Sequence, residues 1–394
     1  MCDPRSPPPV TWRGVGVVSG WQVTASLCFY AIFAATAFVR ESFGVSRALV
    51  GVSLTATLAG YTAFLFVTGA TVDGYGERPV MLVGLLALGA AMLGVALAPS
   101  FPLLLGALLL VGAAYATAMP STNRAVLVVA PEGRRNLAMN VKQVGVTVGS
   151  GLGALVVTAA ASTRYGWRVG FGVAAVLALC VAVVFAFSYR GREGSGVLAA
   201  PDLRGLAGFD GYTPLVVAGF FLGAAVFTTT GYVVLHLTES VGATAAVAGL
   251  VLASVQVTGS LGRLVGGSVA DRLPGGNARA SAQVLVVQAA LAVAAFGGVV
   301  VVDTPLGAGV AFAVLGLFIL GFPGVYYACL TALVPDDQVG AATAGGQSAL
   351  NLGGLLAPPL FGFLADTVSY DAGWTLLACC ALVAGLLLVG VARD

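Results

Sequence analysis

Two cations set the chemical question for this chain: Arg124 and Lys142, each well inside an apolar run. They flank the polar turn Pro131, Glu132, Gly133, Arg134, Arg135 in the stretch STNRAVLVVAPEGRRNLAMNVKQVGVTVGSGLG, Ser121 to Gly153. If both runs are membrane helices, each cation lies about six residues from the turn, or roughly 9 Å at 1.5 Å per residue. The two then sit at similar depth on neighbouring helices. Insertion of a central Arg or Lys costs roughly 2.5 to 3.5 kcal/mol, so charges at this depth usually face a bundle interior or a cavity. Two readings stay open. In one, the pair binds an anion and shares hydrogen bonds with Asn123, Asn140 and Gln143. In the other, Arg124 pairs with Asp73 or Glu132 at the turn and Lys142 snorkels to the headgroups.

The acids narrow the chemistry further. All sixteen Asp and Glu residues map to tails, loops or span ends. Proton relays and cation sites in membranes usually use buried carboxylates, so an anionic cargo is favoured over a cationic one. His236, the only histidine, lies at the end of an apolar run beside Glu239, where it can titrate or simply sit at the interface. A membrane-embedded protease would need a base or a carboxylate pair inside the bilayer, and the chain offers neither, so no enzyme activity is expected. A channel would need a ring of selectivity residues, which is also lacking. Cys28, Cys180, Cys329, Cys379 and Cys380 fall in apolar runs and Cys2 in the tail. That spacing suggests neither a disulfide framework nor a metal site, and no cofactor is expected.

The elements that must hold these residues are membrane helices. Of 394 residues, 59% are hydrophobic and 9% charged, a balance only a polytopic membrane protein needs. Apolar runs give spans at Gly16 to Val39, Ala48 to Val72, Val80 to Ala98, Leu103 to Val129, Leu137 to Ala161 and Trp167 to Tyr189. A second set follows at Thr213 to Leu237, Ala245 to Ala270, Ala280 to Val302, Leu306 to Val334, Gly340 to Ala365 and Ala372 to Val391. The expected division is a disordered tail over 1–15, a six-helix bundle over 16–189, a polar connector over 190–212 and a second bundle over 213–394. With the N-terminus inside, twelve arginines, among them Arg5, Arg13, Arg78, Arg134, Arg135, Arg204 and Arg279, face the cytoplasm. Only Arg40, Arg47, Arg164 and Arg168 fall outside, so both termini are expected to be cytoplasmic. The net charge of +2 gives no reason to expect a nucleic-acid partner.

The two halves echo one another. GATVDGYGERP after the second span carries Gly69, Asp73, Gly76 and Arg78, and GSVADRLPGGNAR after the eighth carries Gly267, Asp271, Arg272 and Arg279. Glycine followed four residues later by aspartate closes a span before a basic turn in both. The glycines would allow close helix approach, and the carboxylates would accept bonds from an arginine or a helix N-terminus. With these loops the chain resembles the major facilitator superfamily of secondary transporters. It departs from the family's loop signature at Gly74 and Glu77, which stand where bases are usual. Gly145, Gly149, Gly151 and Gly153 are similar to the family's glycine-rich fifth helix, with Ser150 in place of its proline.

The resemblance implies an all-α membrane protein of twelve helices in two pseudo-symmetric bundles around a central cavity, working by alternating access. It makes the fourth and fifth spans, with Arg124 and Lys142, eligible to line that cavity. Tyr326, Tyr327, Gln347 and Asn351 are eligible from the tenth and eleventh spans. Gly69, Asp73, Arg78, Gly267, Asp271 and Arg272 are then expected to act in gating. Arg263 is expected to join the same loop network, and Gln22, Tyr30, Tyr61, Tyr115, Tyr232 and Gln256 are weaker polar candidates. The glycines of the fifth span are read first as helix-packing positions. The expected function is carriage of a small anionic organic solute across the cytoplasmic membrane, with proton or counter-anion coupling, by a monomer embedded in the lipid bilayer. A multidrug or other efflux permease of the same superfamily is the alternative.

Overall fold

An apolar run with almost no charge can satisfy its backbone inside a bilayer only as a helix, and the runs do form helices. A computed structural model describes residues 12–132, 134–192, 194, 196, 205–274, 277–335 and 338–393. The tail with Cys2 and Arg5, Gly133, Arg204 and the Gly275–Gly276 turn lie outside the described residues, as do the side chains of Arg135, Asn136, Asn140 and Asn277.

In chain order the helices are α1 (Trp12–Phe43), α2 (Arg47–Tyr75), α3 (Glu77–Leu97), α4 (Phe101–Tyr115), α5 (Ala118–Val129), α6 (Arg135–Ala161) and α7 (Arg168–Ser188). They continue as α8 (Tyr212–Glu239), α9 (Ala245–Ala270), α10 (Asn277–Val301), α11 (Pro305–Ile319), α12 (Phe322–Ala332), α13 (Val339–Thr367) and α14 (Tyr370–Arg393). Among the described residues no strand occurs, and 12 spans are long and apolar enough to cross a membrane. The chain is an all-α, multi-pass membrane protein.

The fourth and tenth spans are each broken in two, as α4 then α5 and α11 then α12. Pro120 explains the first break: it has no N–H for the carbonyl of Ala116, four residues back. Thr68 on α2 takes that carbonyl instead, its Oγ1 donating to Ala116 O at 2.9 Å. At the second break Pro323 stands at the start of α12, and Arg263 on α9 donates from Nε to Leu320 O at 3.0 Å. Pro359, inside α13, likewise frees Leu355 O, which Thr55 Oγ1 meets at 2.6 Å. The hydroxyls of Thr68 and Thr55 thus restore bonds that proline removes in a medium without water, and the Arg263 guanidinium takes a carbonyl at the second break.

Packing sorts the chain into two compact units, Met1–Ala31 with Ala59–Ala200 and Ile32–Leu58 with Pro201–Asp394. This spatial grouping differs from the chain-order division at 190–212, because Ile32–Leu58 belongs to the second unit. The first unit is cored by Trp21, Phe29, Met81, Met92, Phe171 and Phe185, and Trp21 Nε1 donates to Met81 O at 3.0 Å. The second is cored by Phe33, Tyr232, Phe296, Phe312, Tyr326 and Trp374. Leu86, Leu110, Val183 and Phe187 on one unit and Leu264, Leu356 and Leu386 on the other are exposed. Such continuous apolar surface suits lipid.

Candidate functional site

Lys142 is fully buried. Its position follows from the glycine face of α6, since Lys142, Gly145, Gly149 and Gly153 recur at helical spacing. A Cβ at Gly149 would lie 2.2 Å from Val23 O, one at Gly153 2.9 Å from Leu27 O, and one at Gly145 3.1 Å from Ser19 O. The face therefore lies directly on α1 and draws Lys142 inward. Its Nζ donates to Asn123 Oδ1 on α5 at 2.8 Å and lies 3.9 Å from Met119 Sδ. An ammonium group has three protons to donate. Among the described residues no carboxylate lies within ion-pair distance of this one. Gln143 Oε1, on the next residue, is buried without a partner among the described residues. Asn140 is carried by the same helix, but its side chain lies outside the described residues.

One turn along α6 the polarity continues. Gln22 flanks Gly145, donates to Ser26 Oγ at 3.0 Å and accepts from Thr122 Oγ1 at 3.0 Å. Ser26 in turn meets the Tyr115 hydroxyl at 3.3 Å. Tyr115 stacks on Phe29 at 4.1 Å and meets Tyr61 edge-on at 5.4 Å, and Tyr30 closes the group against Phe29 at 5.0 Å. The first unit thus holds a buried cation, a chain of neutral polar groups and an aromatic cluster, contributed by α1, α2, α4, α5 and α6.

Arg124 has different surroundings. Its Nε approaches Glu77 Oε2 at 3.0 Å as an ion pair, and its Nη1 lies 3.6 Å from Asp73 Oδ1 and donates to Val72 O at 3.1 Å. This is the arrangement in which Arg124 pairs at the turn. Glu77 is fully buried. Glu77 lies at a span end in sequence, but the start of the connector folds over it. Its Oε1 accepts from the Tyr189 hydroxyl at 3.0 Å and from Arg192 N–H at 2.8 Å. Burial, and then the Glu77 carboxylate, push the Tyr189 phenol above its ordinary value, so it keeps the proton it donates. Gly76 turns the chain here with φ +88, and a Cβ on it would lie 2.3 Å from Arg192 O. Arg78 caps the end of α7 by donating to Ala186 O at 2.8 Å and Tyr189 O at 2.9 Å.

The other gating candidates divide. A Cβ at Gly69 or at Gly267 would meet nothing within 4 Å, so neither glycine supports the close helix approach expected of it. Asp271 and Arg272 are exposed at the end of α9, and among the described residues neither forms an ion pair. Arg263 reaches the break in the tenth span.

In the second unit the tenth- and eleventh-span candidates do meet. Tyr327 donates to Gln347 Oε1, and Gln347 Nε2 donates to Asn351 Oδ1 at 2.8 Å. Tyr326, fully buried, lies 3.4 Å from Gly346 O. A separate cluster gathers at the α1–α2 turn. Glu239 pairs with Arg40 at 2.6 Å and Arg47 at 2.8 Å, and accepts from the Tyr370 hydroxyl at 2.7 Å. Asp366 accepts from the N–H groups of Arg47 at 3.1 Å and Ala48 at 3.0 Å, capping the start of α2. His236 is buried, and its Nδ1 accepts from Trp374 Nε1 at 3.3 Å.

Halves built alike, broken fourth and tenth spans and glycine-packed fifth and eleventh helices agree with the sequence comparison. The model of the Major Facilitator Superfamily matches residues 19–326 and 215–394. The chain belongs to the Major Facilitator Superfamily. Among curated members it is 24% identical to the hexuronate transporter of Bacillus subtilis (strain 168), over 88% of this chain and 86% of that one. It is 26% identical to the 3-(3-hydroxy-phenyl)propionate transporter of Escherichia coli (strain K12), over 90% of this chain and 86% of that one. Among solved structures it superposes on a bacterial homologue of the human lysosomal transporter Spinster. The inward-facing, occupied form gives a TM-score of 0.82 at 15% identity, covering 96% of each chain. The inward-facing, unoccupied form gives 0.74 at 16% identity, covering 97% of this chain and 95% of the other. At these identities the structural match establishes the superfamily fold.

Three participants carried little sequence signal. Glu77 reads as a departure from a basic loop, and only its burial makes it a hub. Ser26 and Thr122 are ordinary hydroxyl residues until the crossing of α1 and α5 joins them through Gln22. A glycine face opposite polar residues on another helix was the one available clue.

Proposed function

We propose that this superfamily member carries a small organic carboxylate across the cytoplasmic membrane, and that Lys142 is the cation that receives the carboxylate. The observation that carries the reading is a fully buried ammonium group bonded to Asn123 at 2.8 Å with no carboxylate partner among the described residues. An unneutralised buried charge is strongly unfavourable, and an anionic solute relieves that penalty when it binds. Arg124 has its counter-ions already and serves the turn. Two relatives named for hexuronate and for 3-(3-hydroxy-phenyl)propionate support the reading, because both solutes join one carboxylate to a hydroxylated body. Asn123, Gln143 and the Thr122–Gln22–Ser26–Tyr115 chain are the groups to bond such a body, and Tyr30, Tyr61 and Phe29 those to pack against it. The carrier works by alternating access, with proton or counter-anion coupling, as a monomer. Its halves over 16–189 and 213–394 are joined by a cytoplasmic connector over 190–212, and both termini are cytoplasmic.

The test is uptake by purified protein in proteoliposomes, using D-glucuronate, 3-(3-hydroxyphenyl)propanoate and 3-phenylpropanoate against a lipophilic cation. Wild type is expected to take up at least one acid and not the cation. Lys142→Gln is expected to weaken acid binding by about 1.5 to 3 kcal/mol, roughly ten- to a hundredfold, the worth of a charge-assisted hydrogen bond. Its chromatographic profile should not change. Undiminished acid uptake by well-folded Lys142→Gln would remove Lys142 from the site, and selective uptake of the cation would reverse the substrate class.

A further inference from the structure

We propose that the polar cavity where α8 ends is a second binding site, and that it takes a small protonated amine carrying a hydroxyl oxygen. It stands apart from the carboxylate reading above, because every residue that lines it lies in the second unit.

The cavity holds about 340 Å³, within the roughly 300 to 1,000 Å³ usual for small-molecule sites. His236 and Ser240 line it from the end of α8, Asp303 from the turn after α10, and Ser369, Tyr370 and Asp371 from the start of α14. Valine and alanine make up the rest of its wall. Both charged groups in the lining are therefore carboxylates, and among the described residues neither forms an ion pair. Tyr370 gives its hydroxyl proton to Glu239, whose charge Arg40 and Arg47 already match. Asp303 and Asp371 are left to attract a cation from outside the chain.

His236 narrows that cation to one kind. The residue is 5% exposed, and the rings of Phe312, Tyr370 and Trp374 meet it edge-on at 5.7, 5.1 and 5.4 Å. An indole nitrogen only donates, so Trp374 Nε1, at 3.3 Å, fixes His236 Nδ1 as an acceptor. A neutral imidazole bonded in this way carries its proton on Nε2. Among the described residues nothing accepts that proton, and the cavity is the space the imidazole lines. With its lone pair taken by Trp374, His236 is no metal ligand, and among the described residues no metal-holding group of His, Cys, Asp and Glu occurs. What it offers the cavity is one N–H, which suits an oxygen. An anionic oxygen would be repelled by Asp303 and Asp371, so the oxygen is neutral. The ligand thus joins an ammonium group, for the two carboxylates, to a hydroxyl, for His236 with Ser240 and Ser369, and the valines suit the methylenes between them.

Calorimetric titration of the purified full-length protein in phosphatidylcholine nanodiscs tests the site. The probes are 2-aminoethanol, propylamine, which matches it in shape without the oxygen, and sodium chloride. Wild type is expected to bind 2-aminoethanol about threefold or more tightly than propylamine, the worth of one neutral hydrogen bond, and to give no saturable heat with sodium. The double variant Asp303→Asn with Asp371→Asn, at two exposed positions, is expected to melt as wild type does and to bind 2-aminoethanol at least about fivefold more weakly. His236→Phe, which keeps a ring but no N–H, is expected to bring the two amines within about 1.5-fold. Failure of the wild type to bind either amine, equal binding of both, or undiminished binding by the aspartate variant would each overturn the proposal. So would a preference for 2-aminoethanol that survives His236→Phe, and the wild-type and aspartate titrations decide the matter if that variant does not fold. None of these outcomes touches Lys142, so the carboxylate reading stands or falls separately.

Discussion

Arg124 and Lys142 differ in what neutralises them, and that difference assigns their work. Arg124 faces a carboxylate with no exposed surface and another that is 62% exposed. A pair involving a buried partner is costly to break, whereas an exposed pair contributes little. Glu77→Gln is therefore expected to destabilise the protein by about 2 to 3 kcal/mol, leaving Arg124 without its close counter-ion. Asp73→Asn should change stability by no more than about 0.5 kcal/mol. Melting curves of the two purified variants beside wild type check the contrast, and equal losses would contradict the assignment of Glu77 as the hub. Lys142 has an amide and a thioether for company, which is the ground for proposing it as the cation that receives the solute.

At the scale of elements, glycine sets the distance between helices and proline sets where they break. Gly149 on α6 and Gly353 on α13 occupy matching roles in the two units, each letting a helix lie on the backbone of another. In lipid there is no hydrophobic drive between helices, so such close packing is a principal source of adhesion. Gly149→Ala and Gly353→Ala are each expected to destabilise by about 1 to 3 kcal/mol or more, the range for forcing a methyl into filled space. Gly69→Ala and Gly267→Ala, where a Cβ meets nothing within 4 Å, should melt as wild type does. A loss of melting temperature confined to the first two variants is the expected pattern, and a loss in the second two would mean that those glycines also serve close packing. The breaks persist because Thr68 and Arg263 occupy carbonyls at the ends they create.

For the whole molecule, the proposed topology has both termini on one side of the membrane, and the arginine bias is the ground for proposing that this side is the cytoplasm. In a chain whose own cysteines are replaced, Asp210→Cys in the connector should be shielded from an impermeant maleimide in intact cells. Thr163→Cys and Ser240→Cys, in the turns after α6 and α8, should be labelled. The reverse pattern would invert the topology and with it the side from which Lys142 is reached.

Composition and punctuation determined most of the architecture, because a bilayer leaves so few choices. Twenty apolar residues must be a helix, and the spans Leu137 to Ala161 and Ala245 to Ala270 were legible to the residue. Superfamily membership was legible from the two loop copies, and Lys142 was legible as a charge too deep to be incidental. Tertiary structure alone decided which cation is already neutralised. Arg124 and Lys142 have the same depth and the same kind of neighbours in sequence, but Glu77 reaches Arg124 only because the chain after α7 folds back over the α2–α3 turn and buries it. The open nitrogen of His236 was equally hidden, since residue types name donors and acceptors but only packing shows which of them remain unmatched.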